Sequence, residues 1–138
     1  MKFPDSWKGK YICKDADYGV NVLYKATNTE NVSIFQISLS TKIQFAIDDA
    51  YVGFMKKLGM RDSIVFIYSS PSGIPYDDKD SKYDEDTKAY MQLFKDKDSV
   101  LKTFKVLPEY DVETYSNFMA MNKKRDDSLK DDYDKLSK

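Results

Sequence analysis

Phe35-Gln36-Ile37-Ser38-Leu39-Ser40-Thr41-Lys42-Ile43-Gln44-Phe45-Ala46-Ile47 is the stretch whose reading decides the fold. Phe35, Ile37, Leu39, Thr41, Ile43, Phe45 and Ile47 fall on one parity, while Gln36, Ser38, Ser40, Lys42, Gln44 and Ala46 fall on the other. Side chains of a strand alternate between two faces, so the run predicts one long strand with a buried and a wetted face. Ser40-Thr41 lacks the positive-φ residues that a two-residue hairpin wants, so the midpoint reads as a bend or bulge. An antiparallel sheet with one face covered by helices follows, and the fold class is α+β.

Upstream, residues 9–14 and 18–26 read as shorter strands, the second with Tyr18, Val20, Val22 and Tyr24 on one face. The polar loop Thr27-Asn28-Thr29-Glu30-Asn31 closes a hairpin onto the long strand, which begins near Val32. Downstream, Asp48 is placed to cap a helix, with Ile47 and Val52 spaced as a hydrophobic staple. Tyr51, Met55 and Leu58, joined by Val52 and Phe54, form the stripe of that helix, and Gly59 stops it. Ser63-Ile64-Val65-Phe66-Ile67-Tyr68 is apolar on both parities and predicts a strand inside the sheet, covered on both sides.

From Asp84, the spacing of Tyr90, Phe94, Leu101 and Phe104 predicts a helix of about five turns. Residues 98–107 admit helix or strand; helix is favoured, and Pro108 ends either version. Beyond it, Val112, Tyr115, Met119, Leu129, Tyr133 and Leu136 keep helical spacing around a charged middle. A helix that buries so little is marginal alone and needs a docking surface, whether its own sheet, a second copy or a partner. The division predicted is therefore an α+β domain over 1–107 and a polar helical extension over 108–138.

Composition excludes more than it identifies. Lys and Arg number 22 against 23 Asp and Glu, and there is no histidine. Near-neutral charge argues against a general grip on nucleic acid, and the basic run Lys123-Lys124-Arg125 meets Asp126-Asp127 at once. Without histidine there is no Ser-His-Asp or Cys-His catalysis and no His-ligated metal. Cys13 cannot make an internal disulfide, and in Tyr11-Ile12-Cys13 it reads as a small buried hydrophobe. The glycines at 9, 19, 53, 59 and 73 form neither a P-loop nor a dinucleotide fingerprint. No stretch approaches the roughly 20 apolar residues of a membrane span.

Phe3-Pro4-Asp5-Ser6-Trp7-Lys8-Gly9-Lys10-Tyr11 carries an aromatic-Pro-x-x-Trp-x-Gly-x-Tyr pattern followed by a hairpin. Ser33-Ile34-Phe35-Gln36-Ile37-Ser38, Lys57-Leu58-Gly59, and Ser70-Pro71-Ser72-Gly73-Ile74-Pro75-Tyr76-Asp77 follow in order, the last leading to Asp98-Ser99-Val100-Leu101-Lys102-Thr103-Phe104. Together these resemble a family of small PsbP/Mog1-like domains of unknown function from low-GC Gram-positive bacteria. The resemblance covers Phe3 to about Leu107. It implies an α/β/α sandwich, an antiparallel sheet with packed helices. It implies an extracytoplasmic, lipoprotein-like or cell-surface setting, the cytoplasm being expected instead if Met1 is the native start. It implies no enzyme chemistry, and docking to other proteins only by fold analogy.

The candidate interaction surface has two parts. Gln36, Ser38, Ser40, Lys42 and Gln44 would line the wetted face of the long strand. Tyr115, Met119 and Tyr133 on the C-terminal helix belong to types enriched at interface cores. Trp7 with Gly9 and Tyr11 reads as a ligand platform or as a structural plug, with the plug favoured. Asp77, Asp78, Asp80, Asp84, Glu85 and Asp86 gather oxygen as a hard cation wants, but Lys82 sits at a would-be ligand position, so helix-capping carboxylates on a wet loop are favoured.

The function expected is a non-catalytic protein-binding or scaffolding domain with no cofactor and no metal. Its partner is a protein, without nucleic acid and without membrane contact by the domain itself, and a homo-oligomer through the C-terminal helix is a further expectation. The alternative is a small-ligand or lipid-binding module, with an apolar cavity lined by Trp7, Phe35, Phe45 and Phe54. A hydrolase with a Ser-Lys or carboxylate centre is a further rival, for which no motif fixes a reacting pair.

Overall fold

Five strands in the order β1-β2-β3-β5-β4 form an antiparallel sheet in the computed structural model. It describes residues 1–16, 18–27, 29–51, 56–71, 75–76, 79–105 and 112–136. The strands are β1 (Tyr11–Ala16), β2 (Gly19–Tyr24), β3 (Val32–Thr41), β4 (Lys56–Arg61) and β5 (Ile64–Ser69). The helices are α1 (Lys42–Tyr51), α2 (Asp84–Leu101) and α3 (Val112–Leu136). The α+β class is as the sequence predicts, and β5 lies inside the sheet as its apolar run requires.

The decisive stretch divides in two. Only its first half is strand; from Lys42 it coils into α1, so the thirteen residues are not one extended ribbon. Thr41 makes the switch. Its hydroxyl accepts from the amide of Gln44 at 3.1 Å, the bond of a helix N-cap. Thr41-x-x-Gln44 is the signature of a capping box, although the Gln44 carboxamide here donates forward to Asp48 Oδ1 at 2.7 Å. The alternation misled because Ile43, Ala46, Ile47 and Ala50 also stand at i, i+3, i+4 and i+7, one stripe of a helix.

The helix expected from Asp48 to Gly59 shifts accordingly. Asp48 lies inside α1 rather than at its start, and Leu58 and Gly59 belong to β4. Val52, Phe54 and Met55 of its proposed stripe lie outside the described residues. What the apolar spacing could not reveal is a β4–β5 hairpin, turned at Asp62-Ser63 with Asp62 at φ +53°. Aspartate tolerates that left-handed geometry better than most residues. A bulge at Leu58 separates the pairs Lys57–Ile67 and Gly59–Phe66.

Two compact units make up the chain. The first holds Met1–Ile37 and Ser69–Phe104. Its buried side chains include Trp7, Val22, Ile34, Phe35, Tyr90, Leu93 and Val100. Neighbouring Ile34 and Phe35 point to opposite faces of β3 and are both buried, so this part of the strand has no wetted side. Helix α2 is fixed to the strands by polar bonds as well as apolar contact: the Tyr90 hydroxyl donates to the Ser33 carbonyl at 2.9 Å. It runs to Leu101, so 98–101 is helix, followed by a turn at Lys102-Thr103.

The second unit holds Ser38–Tyr68 and Lys105–Lys138. Here α3 packs on α1. The buried line of α3 is Phe118, Asn122 and Asp126, at i, i+4 and i+8, flanked by half-buried Tyr115, Met119, Leu129 and Tyr133. The polar middle that made this helix look solvated is therefore part of its packed face. Asn122 donates back to the Phe118 carbonyl at 2.7 Å, and Asp126 accepts from the Thr41 hydroxyl at 2.7 Å.

Candidate functional site

A surface groove of about 430 Å³ that exposes apolar atoms lies in the second unit. Helix α1 contributes Phe45, Ala46 and Ala50 from one side, with Phe45 and Ala46 one turn before Ala50. Strand β4 adds Met60 and strand β5 adds Val65, whose side chains the hairpin register sets directly opposite one another. Helix α3 closes the groove with Tyr133 and Leu136, one turn apart. Met60 and Leu136 are 47% and 42% exposed.

Lys42, Asp49 and Lys57 rim this apolar floor. None of the three is in an ion pair among the described residues. The groove can thus take apolar side chains and meet a carboxylate at its lysines. Among the described residues its lining offers no serine, threonine or cysteine nucleophile and a single carboxylate.

The predicted surface residues scatter. Lys42 and Tyr133 come together in the groove, although Lys42 reaches it from a helix rather than from a strand. Gln36 and Ser38 are half-buried on β3. Ser40 is 6% exposed, so it lines no wetted face, and its hydroxyl donates to the Thr41 carbonyl at 3.3 Å. Gln44 is on α1, engaged with Asp48. Tyr115 and Met119 sit half-buried on α3, outside the groove. The flat polar strip expected on the long strand does not exist, because a helix starts in the middle of it.

Other candidates resolve differently. Trp7 is fully buried, with Phe3 and Tyr11 around it at 5.8 and 5.9 Å between ring centres, the arrangement of a plug. Its indole N–H has no partner among the described residues. Cys13, expected inside, is exposed on the edge strand β1. Desolvation of its sulfur, then Asp15 beside it, push its thiol pKa up, which disfavours a thiolate nucleophile.

In the acidic segment, Asp77 and Asp78 lie outside the described residues, and Asp80 caps a short turn by accepting from the Lys82 amide at 3.1 Å. Asp86 is not on a wet loop but fully buried. Its Oδ1 accepts from the Tyr24 hydroxyl at 2.7 Å, the Thr27 amide at 3.0 Å and the Thr27 hydroxyl at 2.8 Å. No group of acidic, cysteine or histidine side chains fit to hold a metal exists among the described residues. Asp86 instead ties the start of α2 to the end of β2. Sequence reasoning missed it because a carboxylate among carboxylates gives no sign of which one the fold will bury.

Against protein-family models, curated proteins and solved structures, the chain finds no match.

Proposed function

We propose that this chain is a non-catalytic docking domain that binds an apolar segment of another protein in the groove between α1, the β4–β5 hairpin and α3. The observation that carries this reading is the coincidence, in one groove, of exposed Met60 and Leu136 with three rim charges that lack ion partners among the described residues. Apolar side chains exposed together in a groove and ringed by polar groups suit a protein contact. The PsbP/Mog1-like resemblance supports the same reading and an extracytoplasmic setting, by analogy of fold.

The groove's volume also falls within the range of small-ligand sites, which keeps a ligand-binding module as the second reading. Against it, Trp7 and Phe35 are fully buried, so two of the four residues expected to line a cavity fill a core instead. Phe54 lies outside the described residues.

A photo-reactive residue placed at exposed Ala50, with Lys88 on α2 as a control position, separates the readings in the source cell. Docking yields a discrete protein adduct from position 50, absent from position 88 and weakened roughly tenfold or more by Met60→Asp. Equal labelling at both positions, or saturable uptake of a fluorescent acyl probe with no protein adduct, defeats the docking reading.

A further inference from the structure

The two edges of the sheet are treated differently. Both edge strands carry charged side chains, but β4 alone of the two has a bulge, at Leu58, a device that keeps a second chain from pairing. Edge strand β1 has no bulge: it pairs with β2 in unbroken register from Tyr11–Tyr24 to Ala16–Gly19. The Lys25 amide donates to the Lys10 carbonyl at 2.9 Å, which fixes the phase of this ladder. Even-numbered residues of β1 bond to β2, so Tyr11, Cys13 and Asp15 aim their amides and carbonyls outward. None of these three residues has another backbone partner among the described residues. Ile12, Cys13, Lys14 and Asp15 are all exposed.

We infer that β1 is an assembly edge, and that its occupant is β1 of a second copy of this chain, paired antiparallel about a two-fold axis. Such an axis stands perpendicular to the sheet and keeps each face continuous, so only residues of the same parity meet. Centred on Cys13, the pairing sets Cys13 against Cys13 of the second copy, Tyr11 against Asp15, and Ile12 against Lys14. All the outward amides and carbonyls of the strand then find partners, and no like charges face each other. Sliding one step in one direction sets Lys14 against Lys14; sliding one step in the other sets Lys14 against Lys10. Directly opposed like charges destabilise a ladder, so charge selects the Cys13-centred register. This pairing is independent of the groove, which lies in the other unit.

Sedimentation of the full chain over a roughly hundredfold concentration range tests the assembly by mass action. The expected particle has twice the 16.0-kDa chain mass. Cys13→Pro removes an outward amide without touching the ladder to β2, and Cys13→Lys sets two ammonium groups face to face. Both variants are expected to sediment as folded monomers with unchanged circular dichroism. The register is read by copper-catalysed oxidation on a Cys13→Ser background: chains bearing Ile12→Cys cross-link with chains bearing Lys14→Cys, but not with each other. Monomeric wild-type protein, a dimer that survives both Cys13 variants, or equal cross-linking of Ile12→Cys chains with themselves overturns the inference.

Discussion

Thr41 and Asp126, 85 positions apart, share a hydrogen bond of 2.7 Å at the point where β3 becomes α1. One hydroxyl serves both ends of the contact: it donates to the Asp126 carboxylate and accepts from the Gln44 amide. Both residues are buried, Thr41 at 1% and Asp126 at 7% exposure. The strand-to-helix switch and the docking of α3 are thereby one structural event.

Thr41→Val keeps the shape and removes both bonds, so it should cost about 2–4 kcal/mol, the sum of a lost cap and a buried carboxylate left without its donor. Thr41→Ser should recover most of that loss. Urea midpoints at constant m-value measure it, and a Thr41→Val loss below about 0.5 kcal/mol would show that the hydroxyl is incidental.

Asp86 should be the most sensitive acidic position among the described residues. Asp86→Ala strands the Tyr24 hydroxyl, the Thr27 amide and the Thr27 hydroxyl together, with an expected loss of about 3–5 kcal/mol. Asp86→Asn keeps an acceptor oxygen and should cost less than half as much. Equal losses for the two variants in thermal unfolding would mean that packing, and not hydrogen bonding, is what Asp86 supplies.

High pH should unfold the protein through its tyrosines. Burial, then the charge of Asp86, push the Tyr76 hydroxyl up to about 12, and burial with the Asp86 hydrogen bond raises Tyr24 as well. Both groups hold their protons more tightly when folded. Their contribution is complete below the ordinary tyrosine value of about 10 and is lost as pH rises through the folded values. Tm should therefore be flat toward pH 10 and fall above it, and a Tm that holds constant to pH 12 contradicts this. Tyr76→Phe should be neutral or stabilising by about 1 kcal/mol at neutral pH, because the buried hydroxyl has no partner among the described residues.

Helix α3 should prove part of the folded core of its unit. Phe118→Ala, at a position 4% exposed, should cost about 3 kcal/mol. Met121→Ala, 63% exposed on the same helix, should stay within about 0.5 kcal/mol of wild type. A Phe118→Ala chain as stable as wild type would return α3 to the status of a loosely held extension.

Local chemistry settled much of this protein. The apolar strand at 64–69 and the helix from Asp84 form close to where their apolar patterns predict them, and the two short strands form as well, the first at 11–16 rather than 9–14, while Asn28 of the loop before Val32 lies outside the described residues. Two faces of one pattern defeated the reading of 35–47, because alternating apolar residues also satisfy a helical stripe once a threonine caps it. The capping signature was in the sequence, but nothing local says whether Thr41 continues a strand or ends one. Tertiary contacts decided that, through Asp126. They also decided which carboxylate is buried, since Asp86 earns its place from Tyr24 and Thr27, more than fifty positions away. They placed Lys42 and Tyr133 beside Met60 in a groove that no periodicity could show. Period and capping act over a few residues, whereas burial of a charge and closure of a groove need groups that only folding brings together.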